Sequence, residues 1–184
     1  MIKQAGIDFR SLPDEAADNP LGEYSGAGTI FGATGGVMTA ALRTAYFYIT
    51  GTELGELNFR EIEGLDGIKE AEVEIAGKTI RIAVAHGTGN VEKVLERIRA
   101  AKAAGEEIPY HFVEVMACRG GCIAGGGQPR VMLPGQPKPR GITDDIRRKR
   151  AKGLFDEDLK AANRLSHHNQ SIKTLYEEYI GAPN

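Results

Sequence analysis

The sequence predicts an α/β fold, a small, mostly parallel or mixed sheet covered by helices, on three observations. Runs rich in β-branched residues at 71–75, 79–85 and 110–117 alternate as half-buried strands do. Two stretches, starting at Val37 and Val91, repeat their apolar residues at helical spacing. The composition, 41% hydrophobic and 26% charged over 184 residues, is that of a chain able to bury one substantial core.

The elements follow in chain order. Residues 1–36 carry Pro13, Pro20 and the glycine series GEYSGAGTIFGATGG, which predicts a loop with short extended pieces. From Val37, VMTAALRTAYFYI places Val37, Ala41, Leu42, Ala45, Tyr46 and Ile49 on one helical stripe that Gly51 stops, so the glycines lie at a helix N-terminus. LNFREI (57–62), AEVEI (71–75) and TIRIAVA (79–85) read as strands, the last two joined by a hairpin turn at Ala76-Gly77-Lys78. VEKVLERIRAAKAA, apolar at 91, 94, 95 and 98, is an amphipathic helix ending at Gly105 that would cover the sheet. YHFVEVMA (110–117) is a further strand, and it delivers the chain into MACRGGCIAGGGQP. Pro129, Pro134, Pro137 and Pro139 keep the chain extended until Thr143, which caps a helix with Asp144 and Asp145 in its first turn. SIKTLYEEYI forms a last helix, with Ile172, Leu175, Tyr176, Tyr179 and Ile180 on one face.

A formal net charge of -2 argues against a protein whose main task is to hold nucleic acid or an anionic membrane. No apolar run approaches the about 20 residues that span a bilayer, and MIKQAGIDFR lacks the core of a secretory signal, so the chain reads as cytoplasmic. The sequon Asn169-Gln170-Ser171 carries no meaning in that compartment. GKT at 77–79 imitates a phosphate loop, but the required first glycine falls on Glu72; Gly26-Ala27-Gly28 imitates a dinucleotide fingerprint, but its third glycine falls on Phe31. Arg147 to Arg150 read as a solvated helix face, His86 and His111 as structural histidines, and His167 and His168 as surface residues.

The chemistry concentrates in the glycine-rich run. Cys118 and Cys122, the two cysteines of the chain, bracket Gly120 and Gly121 and precede Gly125 to Gly127. A tetrahedral zinc needs four ligands, and there is no second cysteine pair. Three readings are open: inert buried thiols, a redox pair, or two ligands of an iron-sulfur cluster, whose negative charge is stabilised by amides that glycine allows to come close.

VEVMACRGGCIAGGGQP resembles the third signature motif of the iron-only (FeFe) hydrogenases, MACPGGCxxGGGQP, and NPLGEYSGAGTIFGATGGVMTAALRTAY resembles the family segment that precedes it. GLDGIKEAEVEIAGKTIRIAVAHGTGN and the closing RLSHHNQSIKTLYEEYIGAP are similar to the family as well, the latter to its small subunit or C-terminal tail. The resemblance implies one lobe of the hydrogenase catalytic domain over residues 1–140 and a small-subunit-like helical tail over 141–184. It implies an H-cluster, a four-iron cubane joined through a cysteine sulfur to a two-iron unit bearing carbon monoxide, cyanide and a dithiolate amine, with reversible H2 oxidation as its chemistry. On that resemblance Cys118 ligates the cubane, Cys122 ligates it while bridging to the two-iron unit, Met116 packs beside that unit, Phe31 and Gly32 line its diatomic ligands, and Gln128 belongs to the same preserved context.

The family's TSCCPxW and MPCxxK motifs, which carry the other two cubane cysteines and a proton-relay cysteine, do not occur here. The resemblance therefore implies a missing N-terminal lobe, in the same polypeptide or as a split subunit, and a chain that is inactive alone. It also implies an electron partner, a ferredoxin or a nicotinamide-linked subunit. Arg119 stands where the family usually has proline and is expected to loosen the turn; Ala124 replaces a common glycine. The rival expectation is a non-catalytic relative that binds, senses or assembles iron-sulfur clusters.

Overall fold

The computed structural model describes residues 1–18, 22–55, 60–61, 67–132, 134–135, 137, 139 and 141–181. The helices are α1 (Gly26–Thr29), α2 (Gly36–Thr50), α3 (Thr88–Ala104), α4 (Asp144–Lys160) and α5 (Gln170–Leu175), and the strands are β1 (Arg60–Glu61), β2 (Ile68–Ile75), β3 (Lys78–His86) and β4 (Phe112–Met116). The strands form one mixed sheet in the order β1-β2-β3-β4, antiparallel except for the parallel pair β3–β4. Of the strand expected over 57–62, only Arg60 and Glu61 fall among the described residues.

Alternation along the strands sends two sets of side chains to opposite faces. Ala71, Val73 and Ile75 of β2 and Ile82 and Val84 of β3 pack with Met38 and Leu42 of α2. Ile68, Ala83 and Ala85 face the other way, against Val94 of α3 and Tyr110. The sheet is thus sandwiched between α2 and α3. A third cluster, Ala27, Ile30 and Ala40 with Phe155, seats α1 and α4 beside α2.

The helix ends are where the sequence places them. Gly51 closes α2 in the left-handed region at φ 71°, its N–H donating to Phe47 O at 2.8 Å, and Gly105 ends α3 at φ 69°. The Thr143 hydroxyl accepts from Ile146 N at 3.3 Å to start α4. Ala76 and Gly77 both have positive φ, the requirement of a type I′ hairpin turn, so GKT is hairpin and not a phosphate loop.

Five expectations are corrected. The apolar stripe expected on α2 is turned: Ala41, Ala45 and Ile49 are exposed, and Met38, Thr39, Ala40 and Leu42 are buried, because the sheet meets the helix through Met38 and Leu42. The glycine series before α2 folds into α1 and a 3₁₀ turn at Ile30–Gly32 instead of extended pieces, because Ala27 and Ile30 find a buried place against α2 and α4. The proline stretch does not run extended: the chain doubles back so that Val131 N donates to Gly141 O at 3.1 Å. The last helix holds its α form only to Leu175 and continues as a π turn over Tyr176–Ile180, whose Tyr176, Tyr179 and Ile180 are exposed. His167 is 3% exposed rather than a surface residue, while His168 is exposed.

Candidate active-site loop

β3, α3 and β4 form a β-α-β unit, and the cysteine loop leaves the carboxyl end of its second strand, where open α/β sheets present their ligand crevices. Gly87 N donates to Met116 O at 2.8 Å and so ties off the end of the parallel pair. The loop then closes on itself: Gly121 N donates to Cys118 O at 3.0 Å, Ala124 N to Gly121 O at 3.1 Å, Gly125 N to Cys122 O at 3.0 Å and Gln128 N to Gly125 O at 3.1 Å. These four amides are therefore engaged within the loop. Cys122–Ala124 is one 3₁₀ turn, with Ile123 buried beneath it.

Both cysteines are free and exposed, which removes the reading of inert buried thiols. A Cβ built on Gly125 would lie 4.0 Å from Cys118 Sγ, which places that sulfur over bare backbone. Phe31 and Gln128 are exposed, and Met116 and Gly32 are half-buried.

The structure brings the FGATGG segment against the cysteine loop. Thr34 N donates to Gly120 O at 3.1 Å. A Cβ on Gly121, which holds φ 94°, would stand 2.8 Å from Thr34 N and 2.9 Å from Gly32 O, so only glycine permits this approach. A Cβ on Gly32 would stand 2.8 Å from Leu154 of α4 and 3.8 Å from Ile123. Gln128 has no contact with Phe31 or Gly32 among the hydrogen bonds of the described residues; it is placed by its bond to Gly125.

Three supporting residues escape sequence reasoning. Glu114, 5% exposed, accepts from Gly35 N and Met38 N at 2.7 Å each, so a carboxylate on β4 caps α2 from a distance. Burial pushes its carboxyl above the ordinary range, and the two amide bonds pull the other way. The one signal in the sequence is parity: Glu114 lies opposite Val84, on the face covered by α2. Arg150 donates to Ile123 O at 2.7 Å and to Pro129 O at 2.6 Å, clamping both sides of the loop. Arg147 lays its aliphatic stem against Gly120, 3.0 Å from where a Cβ would be. The basic run is thus not a solvated face throughout, because two of its members turn toward the loop.

Arg119 does not loosen the turn. Its guanidinium leaves the loop and pairs with Asp144 at 2.9 Å, at the start of α4, while the 3.0 Å bond from Gly121 N to Cys118 O holds the turn closed. The hydrogen bond from Arg147, helped by the charge of Arg119, holds the Asp144 carboxyl below its usual range. A cleft of about 420 Å³ beside the loop is lined by Thr34, His86, Arg119, Gly120, Ile123 and Arg147 among others. His111 Nδ1 accepts from Arg81 N at 3.0 Å, a structural role, and His86 packs against Gly67, 2.9 Å from the position of a Cβ there.

Residues 1–126 match the family model of the iron-only hydrogenase large subunit, C-terminal domain, and residues 144–184 match that of the iron hydrogenase small subunit. The chain belongs to the iron-only hydrogenase family. It is 45% identical over 184 residues to iron hydrogenase 1 of Clostridium pasteurianum, covering all of this chain and 30% of that protein. A solved structure of a variant of the FeFe-hydrogenase HydA1 from Chlamydomonas reinhardtii superposes with a TM-score of 0.64 at 38% identity, over 99% of this chain and 49% of that one. The family is broader than hydrogenases: over 98 residues, 53% of this chain and 19% of the relative, the sequence is 33% identical to the mouse cytosolic iron-sulfur assembly component 3. The chain spans about a third of the length of the clostridial hydrogenase. No helix among the described residues is long and apolar enough to cross a membrane.

Proposed function

We propose that this chain supplies one half of the H-cluster site of an iron-only hydrogenase and completes that site only together with an N-terminal lobe, in the same polypeptide or as a split subunit. The observation that carries this reading is the pair of free, exposed thiols on a glycine-framed loop at the carboxyl end of parallel strands, docked on the family's FGATGG segment. Donor chemistry fits: thiolates are the ligands of iron-sulfur clusters, and Cys118 and Cys122 expose two thiols on a closed loop. In the bound state the H-cluster supplies the redox and hydrogen-binding chemistry of reversible H2 oxidation and proton reduction.

The roles follow residue by residue. Cys118 would hold the cubane, and Cys122 would hold it and link it to the two-iron unit. Met116, half-buried at the end of β4, would pack beside that unit, and Phe31 and Gly32 would help to keep water from it. Gln128 closes the loop on its outer side. Arg150 would position the loop through Ile123, and Glu114 the start of α2 through Gly35 and Met38. Residues 1–140 form the cluster-bearing lobe and 141–184 a tail that packs on the partner lobe, with a ferredoxin or a nicotinamide-linked subunit as electron partner and the cytoplasm as compartment.

Two thiolates do not replace four, so the isolated chain is expected to evolve no H2. Reconstitution with an upstream hydrogenase lobe and matured two-iron cofactor should give H2 evolution from a reduced donor. A complex that assembles, carries the cubane and stays inactive would overturn the enzymatic reading in favour of the second one, a non-catalytic relative, which the likeness to the mouse assembly component supports. In the assembled complex, Cys122→Ser should abolish retention of the two-iron unit. An unchanged infrared pattern of carbon monoxide and cyanide bands in that variant would refute the bridging role.

A further inference from the structure

Far along the sequence from the cysteine loop, two segments meet at a second cluster of metal-ligating groups. Glu53 lies just past the end of α2; His167 and His168 lie in the 3₁₀ turn that precedes α5, separated from it by 114 and 115 residues. One donor atom from each of the three lies within 4.8 Å of the other two, and among the described residues this is the one such group. His167 Nε2 is 3.3 Å from both Glu53 oxygens, and His168 Nε2 is 2.6 Å from Oε1.

We infer that Glu53, His167 and His168 form a binding site for a divalent cation that prefers nitrogen and oxygen donors, with zinc as the ion of choice. This inference is independent of the hydrogenase reading. Two ligands about 2.1 Å from a tetrahedral zinc stand about 3.4 Å apart, close to the separation of His167 Nε2 from each Glu53 oxygen. The shorter contact to His168 is a hydrogen bond that an ion replaces with two coordinate bonds. The Glu53 and His168 side chains, 46% and 48% exposed, are free to open by the roughly 1 Å this requires.

The surroundings of His167 suit a ligand better than a passive ion-pair partner. Its side chain is wholly buried, and Phe47 stacks on its ring at 4.3 Å and 17°, which fixes the ring plane. Its other nitrogen, Nδ1, sits 3.3 Å from Thr44 Oγ1. Without an ion Nε2 is placed to donate to Glu53; with one bound, Nε2 would give up that proton and turn its lone pair to the metal, while Nδ1 would donate to the Thr44 hydroxyl, the outer-shell arrangement typical of metal-bound histidine. Three protein ligands, two of them exposed, leave a fourth position for water. Imidazole and carboxylate together favour zinc over magnesium or calcium, which take oxygen ligands. The bound ion would clip the C-terminal segment to the end of α2.

The test uses the full chain carrying Cys118→Ser and Cys122→Ser, so that the thiol pair does not compete, and zinc alone as the probe in titration calorimetry. One equivalent of zinc should bind with micromolar or tighter affinity, and its X-ray absorption should show nitrogen and oxygen neighbours only. His168→Ala and Glu53→Gln, both at exposed side chains, should each weaken binding at least tenfold while circular dichroism stays unchanged. Failure to bind zinc, or an affinity in either variant equal to that of the parent chain, would overturn the assignment.

Discussion

At Glu114 a charged residue inside a strand becomes the joint of the site. Its carboxylate accepts the amides of Gly35 and Met38 at 2.7 Å each and binds the start of α2 to the strand that leads into the cysteines. Replacing it with leucine leaves both amides without that acceptor inside the protein, at an expected cost of about 1–3 kcal/mol. Hydrogen exchange at Gly35 and Met38 should quicken more than the global loss of stability explains; an equal quickening across the chain would refute the capping role. The pH dependence has a definite sign. Burial raises the carboxyl of the folded state above its ordinary value of 4.5, so the folded chain holds this proton more tightly than the unfolded one. The associated stability is complete below that value and is lost as pH rises through the folded value, a dependence the leucine variant should lack. Gly121 acts at the same scale by subtraction: the missing Cβ is what lets the cysteine loop lie on Gly32 and Thr34.

Among the elements, α4 does the most to hold the N-terminal glycine segment, and Asp158 is its anchor. Asp158 is fully buried; it takes Arg43 of α2 in a two-pronged pair at 3.1 Å for each bond and Arg164 Nε at 3.1 Å. Gly26 of α1 passes so close that a Cβ there would lie 2.8 Å from its carboxylate. Asp158→Asn keeps the shape but leaves the Arg43 charge, 11% exposed, without its counter-ion, at an expected cost of about 3–5 kcal/mol in urea unfolding. A change below about 0.5 kcal/mol would show that the Arg43 charge is solvated in place. This triad was not legible in the sequence, because its members lie 115 and 6 residues apart and no local pattern joins them. What was legible is local: the helix beginning near Val37, the stop at Gly51, the hairpin at Ala76-Gly77 and the cap at Thr143 each follow from neighbouring residues. The cysteine loop and its FGATGG neighbour were legible as motifs. Their docking through Gly121, and the clamp from Arg150, depend on tertiary approach that periodicity does not encode. For the same reason α1 was missed, since a helix of one turn is too short to show a period and stands on its contacts with α2 and α4.

At the scale of the whole molecule, the face of the sheet away from α2 is closed by a polar lock that makes stability sensitive to alkali. Tyr110, just before β4, donates its hydroxyl to Glu70 of β2 and receives a bond from Arg97 of α3 at 2.5 Å, while Arg97 also pairs with Glu70 at 2.9 Å. One phenol therefore joins a strand, a helix and the connection leading into the strand that carries the candidate site. Burial, and then the bond to Glu70, push the Tyr110 hydroxyl up from 10.0 to about 12. Between those two values the unfolded chain gives up this proton and the folded chain keeps it, so the folded state binds more protons and stability must fall as pH rises. Below 10.0 the contribution is complete, and above about 12 it is gone. The urea midpoint of the full chain should decline across this window, and absorbance at the tyrosinate band should show a phenol still titrating toward about 12. Tyr110→Phe should remove the late-titrating group and flatten that part of the decline. If no tyrosine of the folded chain titrated late, the lock between β2 and α3 would not exist in solution, and the sheet would be held on that face by the apolar cluster around Ile68, Ala83, Ala85 and Val94.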